Sequence, residues 1–458
     1  MTCNKIKKVF LLIFLFTLPL LLVDCNNVDI NKNDKVDSMV SQNGKESFKA
    51  IDDNVYINYL KKNTSNLDIE DNNDYSSFKL LDKDTKDKDI FLIGEYHYVT
   101  ANSTIQLKFL KYFKEKTNFK YLLCETPYLA SKKYNIFMKT GDEKLLAPYL
   151  NTVEELEFWK KLYEFNRTLK SEDKIIVVGP DVGNVQNDIS YLIDTLSSKD
   201  LPKELQTQLS LIKEYKEYID KLFAVNEEDA ETVYMNSYTE NRKKFMNIYN
   251  KVNDNIPSYE NIFKESSFDI EYVLNDLKNV LDIQEQSAKQ YFETGDFASI
   301  LRVRDVMIGE NFSKLYKKLP KGKYFGKYGA GHTYQKEILS ESNIKTRNFA
   351  AEITKEGSPL KDKVITIACF YDNCFSSNSG VPEPITSYKG NKAMESYVTG
   401  NNTLIKLNGK NSPYDRELKW DFVKEPYGRA EGGVTTDYFQ YMIVIKNSES
   451  DTWLLNRK

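Results

Sequence analysis

Histidine is nearly missing from this chain: among 458 residues there are two, His97 and His332. Any chemistry that needs an imidazole must draw on that pair. Cysteine is scarce as well, five in all, and none of it forms a zinc-type cluster. The net charge is only -3, so no basic excess invites a nucleic-acid partner. No internal repeat is evident. What remains is ordinary: 41% apolar and 29% charged residues, enough to bury a core in one large domain or two smaller ones.

The first 25 residues differ from everything after them. Lys5, Lys7 and Lys8 precede an apolar run from Val9 to Val23. That run is short of the roughly 20 residues that span a bilayer, and it has the layout of a secretory signal peptide. It ends Leu22-Val23-Asp24-Cys25, followed by Asn26-Asn27. A cysteine at that point resembles a bacterial lipoprotein cleavage site, although Asp24 stands where a small uncharged residue is usual. The expectation is a signal peptide over residues 1–25 and an exported protein anchored to the membrane by lipid on Cys25, its domain outside the cytoplasm. Residues 26–75, rich in Asn, Asp, Lys and Ser, are expected to form a solvated polar tether. Cys124 sits in the apolar stretch Tyr121-Leu122-Leu123-Cys124 and is expected to be buried and inert. Cys369 and Cys374 could pair after export.

From residue 76 to 458 short apolar runs alternate with helical patterns. Strands are expected over 88–93, 120–124, 174–178, 323–328, 363–370 and 438–445. Helices are expected between the first three, near 104–113 and 131–170. The pattern predicts an α/β fold, a mainly parallel sheet flanked by helices. Between the third and fourth core strands, residues 188–320 carry helical patterns alone, at 205–223, 227–252, 270–291 and 297–319. That is too long for a crossover, and it reads as a large helical insertion beside or over the sheet.

In parallel sheets, ligands collect at the carboxyl ends of the strands. The first run ends Gly94-Glu95-Tyr96-His97 and the second Glu125-Thr126-Pro127. The third ends Gly179-Pro180-Asp181, and the fourth Gly329-Ala330-Gly331-His332. Four strand ends thus each finish in an ionisable group, both histidines among them. The bland alternatives are plain: an acid after a strand is often a helix N-cap, and a lone histidine is often a surface polar group. Asp181 stands evenly between capping and binding. In the helix from 297, Leu301, Arg304, Asp305, Ile308, Phe312, Leu315 and Leu319 share one face. Arg304 and Asp305 therefore turn inward, where they either satisfy each other or reach the site beside His332.

Taken with Arg304-Asp305-Val306-Met307 and Glu310-Asn311, these segments fall in an order that resembles the superfamily joining erythromycin esterase-like hydrolases, Tiki/TraB-type metallopeptidases and ChaN-like haem-binding lipoproteins. The resemblance covers roughly residues 85–370. The glycine-to-histidine spacing of both histidine segments is similar to the Tiki/TraB and ChaN-like branches. Arg304–Met307 and Asn348-Phe349-Ala350-Ala351 lean towards the esterase side. The reading carried forward is a hydrolase without a cofactor, in which His97 acts as general base on a water and Glu95 or Glu125 orients it. His332 and Arg304 would stabilise negative charge on an ester or amide substrate, with Asp181 and Asp305 in binding roles. The substrate would be a small molecule, a peptide or a cell-envelope polymer. Two alternatives stay open. A divalent metal on His97, His332 and Glu125 would make a metal-dependent peptidase. Haem or another ligand, held near Tyr96 or Tyr98, would make a binding protein.

Overall fold

Runs rich in Ile, Val, Leu and aromatic residues form the strands, because such side chains pack well on a pleated surface covered by helices. A computed structural model describes residues 51–71, 74–223, 227–294, 298–339, 345–424 and 429–454. The expected signal peptide, Cys25 and the first part of the expected tether lie outside the described residues.

The main sheet has eight strands: β1 Thr64–Asn66, β2 Ile90–Glu95, β3 Tyr121–Cys124, β4 Ile176–Val178, β5 Tyr324–Gly329, β6 Val364–Asp372, β7 Asn402–Lys406 and β8 Tyr441–Lys446. Their spatial order is β1-β7-β8-β6-β2-β5-β3-β4. Every neighbouring pair from β8 to β4 is parallel. Only β7 runs against its neighbours, pairing antiparallel with β1 and β8. The α/β class and the mainly parallel sheet are therefore as the pattern predicts.

The longer helices are α1 Asp53–Asn63, α2 Ala101–Thr117, α3 Tyr128–Thr140, α4 Val153–Thr168, α5 Val185–Ser197, α6 Lys203–Phe223, α7 Glu227–Asn253, α8 Ile256–Phe263, α9 Ser267–Thr294 and α10 Ala298–Lys318. Two short ones, α11 Ala330–Thr333 and α12 Phe349–Ile353, follow β5. On one face of the sheet, Phe109 and Phe113 of α2 and Phe158 of α4 pack on Phe91, Ile93, Leu122 and Phe325. On the other, Ile308 and Phe312 of α10 and Phe349 of α12 pack on Ile90, Leu92, Tyr324 and Tyr328. Helices α5 to α10 form the expected insertion between β4 and β5. Its members α5, α6, α8 and α9 share a separate apolar core around Ile189, Ile212, Tyr259 and Leu274. Helix α10 is the part that returns to the sheet and reaches the strand ends.

One expectation needs correction. Residues 51–75 are not wholly tether. Asp52 caps α1 through its side chain, and Tyr56, Tyr59 and Leu60 on that helix are buried. Strand β1 then pairs with β7, Thr64 opposite Ile405. Average polarity hid this because three apolar residues at i, i+3 and i+4 suffice to dock one helix on a surface formed elsewhere. The thiols are also placed: Cys124 is buried as expected, and Cys369 and Cys374, whose pairing the sequence left open, are free and buried. The Cys374 Sγ is taken up by main-chain groups, among them the Ile445 carbonyl at 3.4 Å, rather than by Cys369. Among the described residues, no helix is long and apolar enough to cross a membrane.

If α1 belongs to the domain, Leu60→Ala should lower the free energy of unfolding by ~2–5 kcal/mol, the usual cost of a core leucine. Urea denaturation measures it, and a tether residue would show no such loss.

Candidate active site

Strand β2 delivers the first arm of the site. Alternation along the strand sends Glu95 to the same side as Phe91 and Ile93, where Gln106 of α2 donates to its Oε2. The other oxygen meets His97 Nδ1 at 2.9 Å. That bond orients the ring and directs Nε2 away from the strand. The next residue, Tyr98, has φ of 60°, a left-handed conformation that a bulky side chain rarely adopts. Surrounding segments hold it there. Ser376 Oγ donates to the His97 carbonyl at 2.8 Å, and the Asp451 N–H donates to the Tyr98 carbonyl at 2.9 Å. Asn151 Nδ2 donates to the Tyr98 hydroxyl at 2.9 Å. Backbone strain of this kind persists where neighbours over-determine the conformation.

The second arm is built around Glu125, the residue after β3. Its Oε2 accepts the Gly329 N–H at 2.9 Å. Its Oε1 accepts from Arg304 Nη2 at 3.0 Å and lies 3.0 Å from His332 Nε2. Arg304, from α10, also lays its guanidinium fork across Asp181, with Nε 3.0 Å from Oδ1. His332 Nδ1 meets Asp305 Oδ1 at 2.5 Å, and that oxygen also accepts the Phe349 N–H at the start of α12. Arg304 and Asp305 thus do not satisfy one another; each reaches a different partner in the site. Nor is Asp181 a helix cap, since Asn184 caps α5.

The arms meet at His97 Nε2, 3.8 Å from Glu125 Oε2. This nitrogen makes no hydrogen bond among the described residues. Closeness here depends on Gly329, because a Cβ at that position would lie 2.8 Å from His97 Nε2. All seven residues singled out from the strand ends and α10 (Glu95, His97, Glu125, Asp181, Arg304, Asp305 and His332) therefore fall in one network.

Electrostatics separates the two imidazoles. Burial pushes His332 down, but Asp305 and Glu125 outweigh it and raise the ring to about 10. His332 is then an imidazolium at neutral pH, donating both N–H groups to carboxylates. Burial also opposes the charge on His97, and the Glu95 hydrogen bond and the Glu125 charge raise it above its ordinary 6.5. Glu125 is held well below the carboxylate range: burial acts against this, and His332, Arg304 and His97 overcome it. Side-chain exposure is 21% for His97 and 7% for His332. His97 is partly exposed, although its Nε2 is itself buried, and His332 is sealed.

Several participants escaped sequence reasoning. Gln106 is one polar residue among many on α2 and carries no distinguishing signal. Lys327 did carry one, as a charge inside the apolar strand β5. Its ammonium sits 5.1 Å from the centre of the Phe158 ring, where Glu95 and Glu125 raise its pKa against the effect of burial. Asp188 and Asp276 are buried as well, and as two acids among many on the helices they carry no distinguishing signal in the sequence. Tyr96 packs edge-on against Tyr371, and the Tyr98 hydroxyl is engaged by Asn151. Among the described residues, no group of three or more His, Cys, Asp or Glu side chains is arranged to hold a metal ion. In the trio considered for one, His332 is already paired with Glu125, and the Arg304 guanidinium lies 3.4 Å from His332 Nε2.

A mainly parallel sheet with a helical insertion and an acid–histidine–arginine network at its carboxyl edge defines the class of molecule. No family model matches the sequence, and no curated protein sequence matches it. Solved structures do. A Bacillus cereus protein superposes with a TM-score of 0.62 at 15% identity, covering 88% of this chain and 99% of its own. An erythromycin esterase mutant in its open conformation gives 0.65 at 11% identity, over 82% and 95%. A succinoglycan biosynthesis protein gives 0.63 at 13%, over 89% and 100%. At these identities the likeness is one of fold.

Replacing Arg304 by Met would leave Glu125 and Asp181 buried without their shared cation. The expected cost is ~3–5 kcal/mol of folding stability, read by chemical denaturation at neutral pH. Arg304→Lys should recover little of it, because a point charge cannot bridge two carboxylates as the planar fork does.

Proposed function

We propose that this network is the active site of a metal-independent hydrolase, in which His97 activates a water for attack on an ester or amide carbonyl. The observation that carries this reading is the state of His97. One ring nitrogen is tied to Glu95, while the other is unbonded and faces the charged network around Glu125. A neutral His97 would take a proton from water at Nε2, and Glu95 would stabilise the imidazolium so formed. The same proton would then pass to the leaving alcohol or amine. His332 and Arg304 would supply positive potential for the negative charge that develops on the carbonyl oxygen, with Glu125 and Asp181 holding them in place. The fold shared with an erythromycin esterase supports the reaction class and leaves the substrate open among small molecules, peptides and cell-envelope polymers.

The working location follows from the leader. Export by the signal peptide and lipid on Cys25 would place the domain outside the cytoplasm at the membrane surface. Cys25→Ser should move the protein from the membrane fraction to the soluble one and abolish palmitate labelling. A protein that stays soluble without the substitution would remove the anchor.

The pH dependence follows from the two rings. His97 must be neutral to act, so kcat/KM should rise with pH through a value above 6.5. His332 must be charged, so activity should fall again near pH 10 as it loses its proton. His97→Ala should lower kcat on a panel of esters and peptides by roughly 10²–10⁴-fold, the usual worth of a general base. Chelators should leave the wild-type rate unchanged. A stoichiometric divalent metal whose removal abolishes turnover would overturn this mechanism in favour of the metallopeptidase.

A further inference from the structure

Below the site is a polar joint that this reaction does not use. Gly183, in the loop after β4, donates its N–H to Asp276 Oδ2 on α9 at 2.7 Å. Asn311 Nδ2 on α10 donates to Asp276 Oδ1, also at 2.7 Å. Asp188 of α5 brings its Oδ2 to the same place: a Cβ on Gly183 would meet Asp188 Oδ2 at 2.1 Å and Asp276 Oδ2 at 2.7 Å. Both acids are 3% exposed, and Asp188 Oδ2 has no donor among the described residues. The other groups that bear on this pair are Asp181 from the loop after β4, Lys314 of α10, and Tyr272 of α9. Tyr272 in turn packs against Tyr128 of α3.

Two ionised carboxylates cannot stand this close in a buried setting, with a third acid nearby, unless a proton is shared. Each oxygen of Asp276 already accepts a donor, so Asp276 is the ionised partner. Asp188 Oδ2 accepts from no donor among the described residues and shares the space in front of Gly183 with Asp276 Oδ2, so the proton is placed on it. We propose that Asp188 and Asp276 share a proton that clasps α5, α9 and α10 to the loop after β4, and so position Arg304 in the site. Asn311 lies two turns along α10 from Arg304, and Gly183 lies two residues beyond Asp181. The joint thereby fixes both halves of the Arg304–Asp181 fork. Burial pushes both acids above the carboxylate range, Asp276 to about 7 and Asp188 well above its ordinary value, consistent with a proton kept at neutral pH.

The inference rests on the site's geometry and not on turnover, and its test is chosen accordingly. Infrared spectroscopy of the whole folded protein at neutral pH should show a protonated-carboxyl band that Asp188→Asn removes. Asp451→Asn serves as the control, because burial raises that acid to about 8 at a separate place. Since both members of the pair bind protons more tightly when folded, stability should fall as pH rises from the carboxylate range towards neutrality. Asp188→Asn, whose amide N–H can donate to Asp276 permanently, should fold and flatten that slope, and leave the His332 imidazole resonance in place. Asp276→Leu, which breaks the clasp, should shift that resonance. If Asp276→Leu does not fold, the Asp188→Asn band and slope decide alone. A band and a slope both unchanged in Asp188→Asn would overturn the proposal. Absence of hydrolysis would count against the hydrolase reading only.

Discussion

The site depends on one buried carboxylate. Glu125 receives the Gly329 main chain, the Arg304 guanidinium and the His332 ring, and its charge also faces His97. Without it, Arg304 and His332 would be two cations 3.4 Å apart with nothing between them. A buried charge is tolerated only when others complete its shell. Here the completion is mutual. Glu125 stays ionised because of the cations, and the cations stay close because of Glu125. Asp181 and Asp305 extend the network outward, one to α10 and one to α12.

The fold makes such a network feasible by placing distant segments side by side. Strand β5 lies between β2 and β3, so His332, Glu95 and Glu125 come from adjoining strand ends although 204 residues separate Glu125 from Gly329. The insertion would otherwise be a helical domain with its own core. Because α10 returns across the sheet, it contributes Arg304 and Asp305 and ties the insertion to the chemistry. Within the site, backbone tension falls on Tyr98, next to the partly exposed imidazole of His97, and the segments around Ser376 and Asp451 hold it from outside.

Much of this is legible in the sequence. Strand ends were marked by glycine or proline next to an ionisable residue, and histidine was so rare that its two positions stood out. The inward turn of Arg304 and Asp305 followed from helical spacing, but their partners did not. A helix wheel says which side faces in, never what is waiting there. Helix α1 was missed because its apolar content is small and its docking surface, including Leu407 and Tyr414, is formed by residues some 350 positions away. Strand β7 went unread for a similar reason: Asn402–Lys406 is short and follows a polar stretch. Pairing of Cys369 with Cys374 stayed open in the sequence, because export permits a bond without requiring one, and the packing leaves both thiols free.

By itself, then, the order of residues determined the α/β alternation, the site of the insertion and the identity of the ionisable groups at the strand ends. Those are local properties, set by periodicity, by turn-forming residues and by the scarcity of imidazole. Only the tertiary structure decided that the two histidines differ in role, and that Asp188 and Asp276 matter at all. The physical reason is that burial and the nearest charges set protonation and exposure. Both belong to the folded neighbourhood of a side chain and not to its place in the sequence.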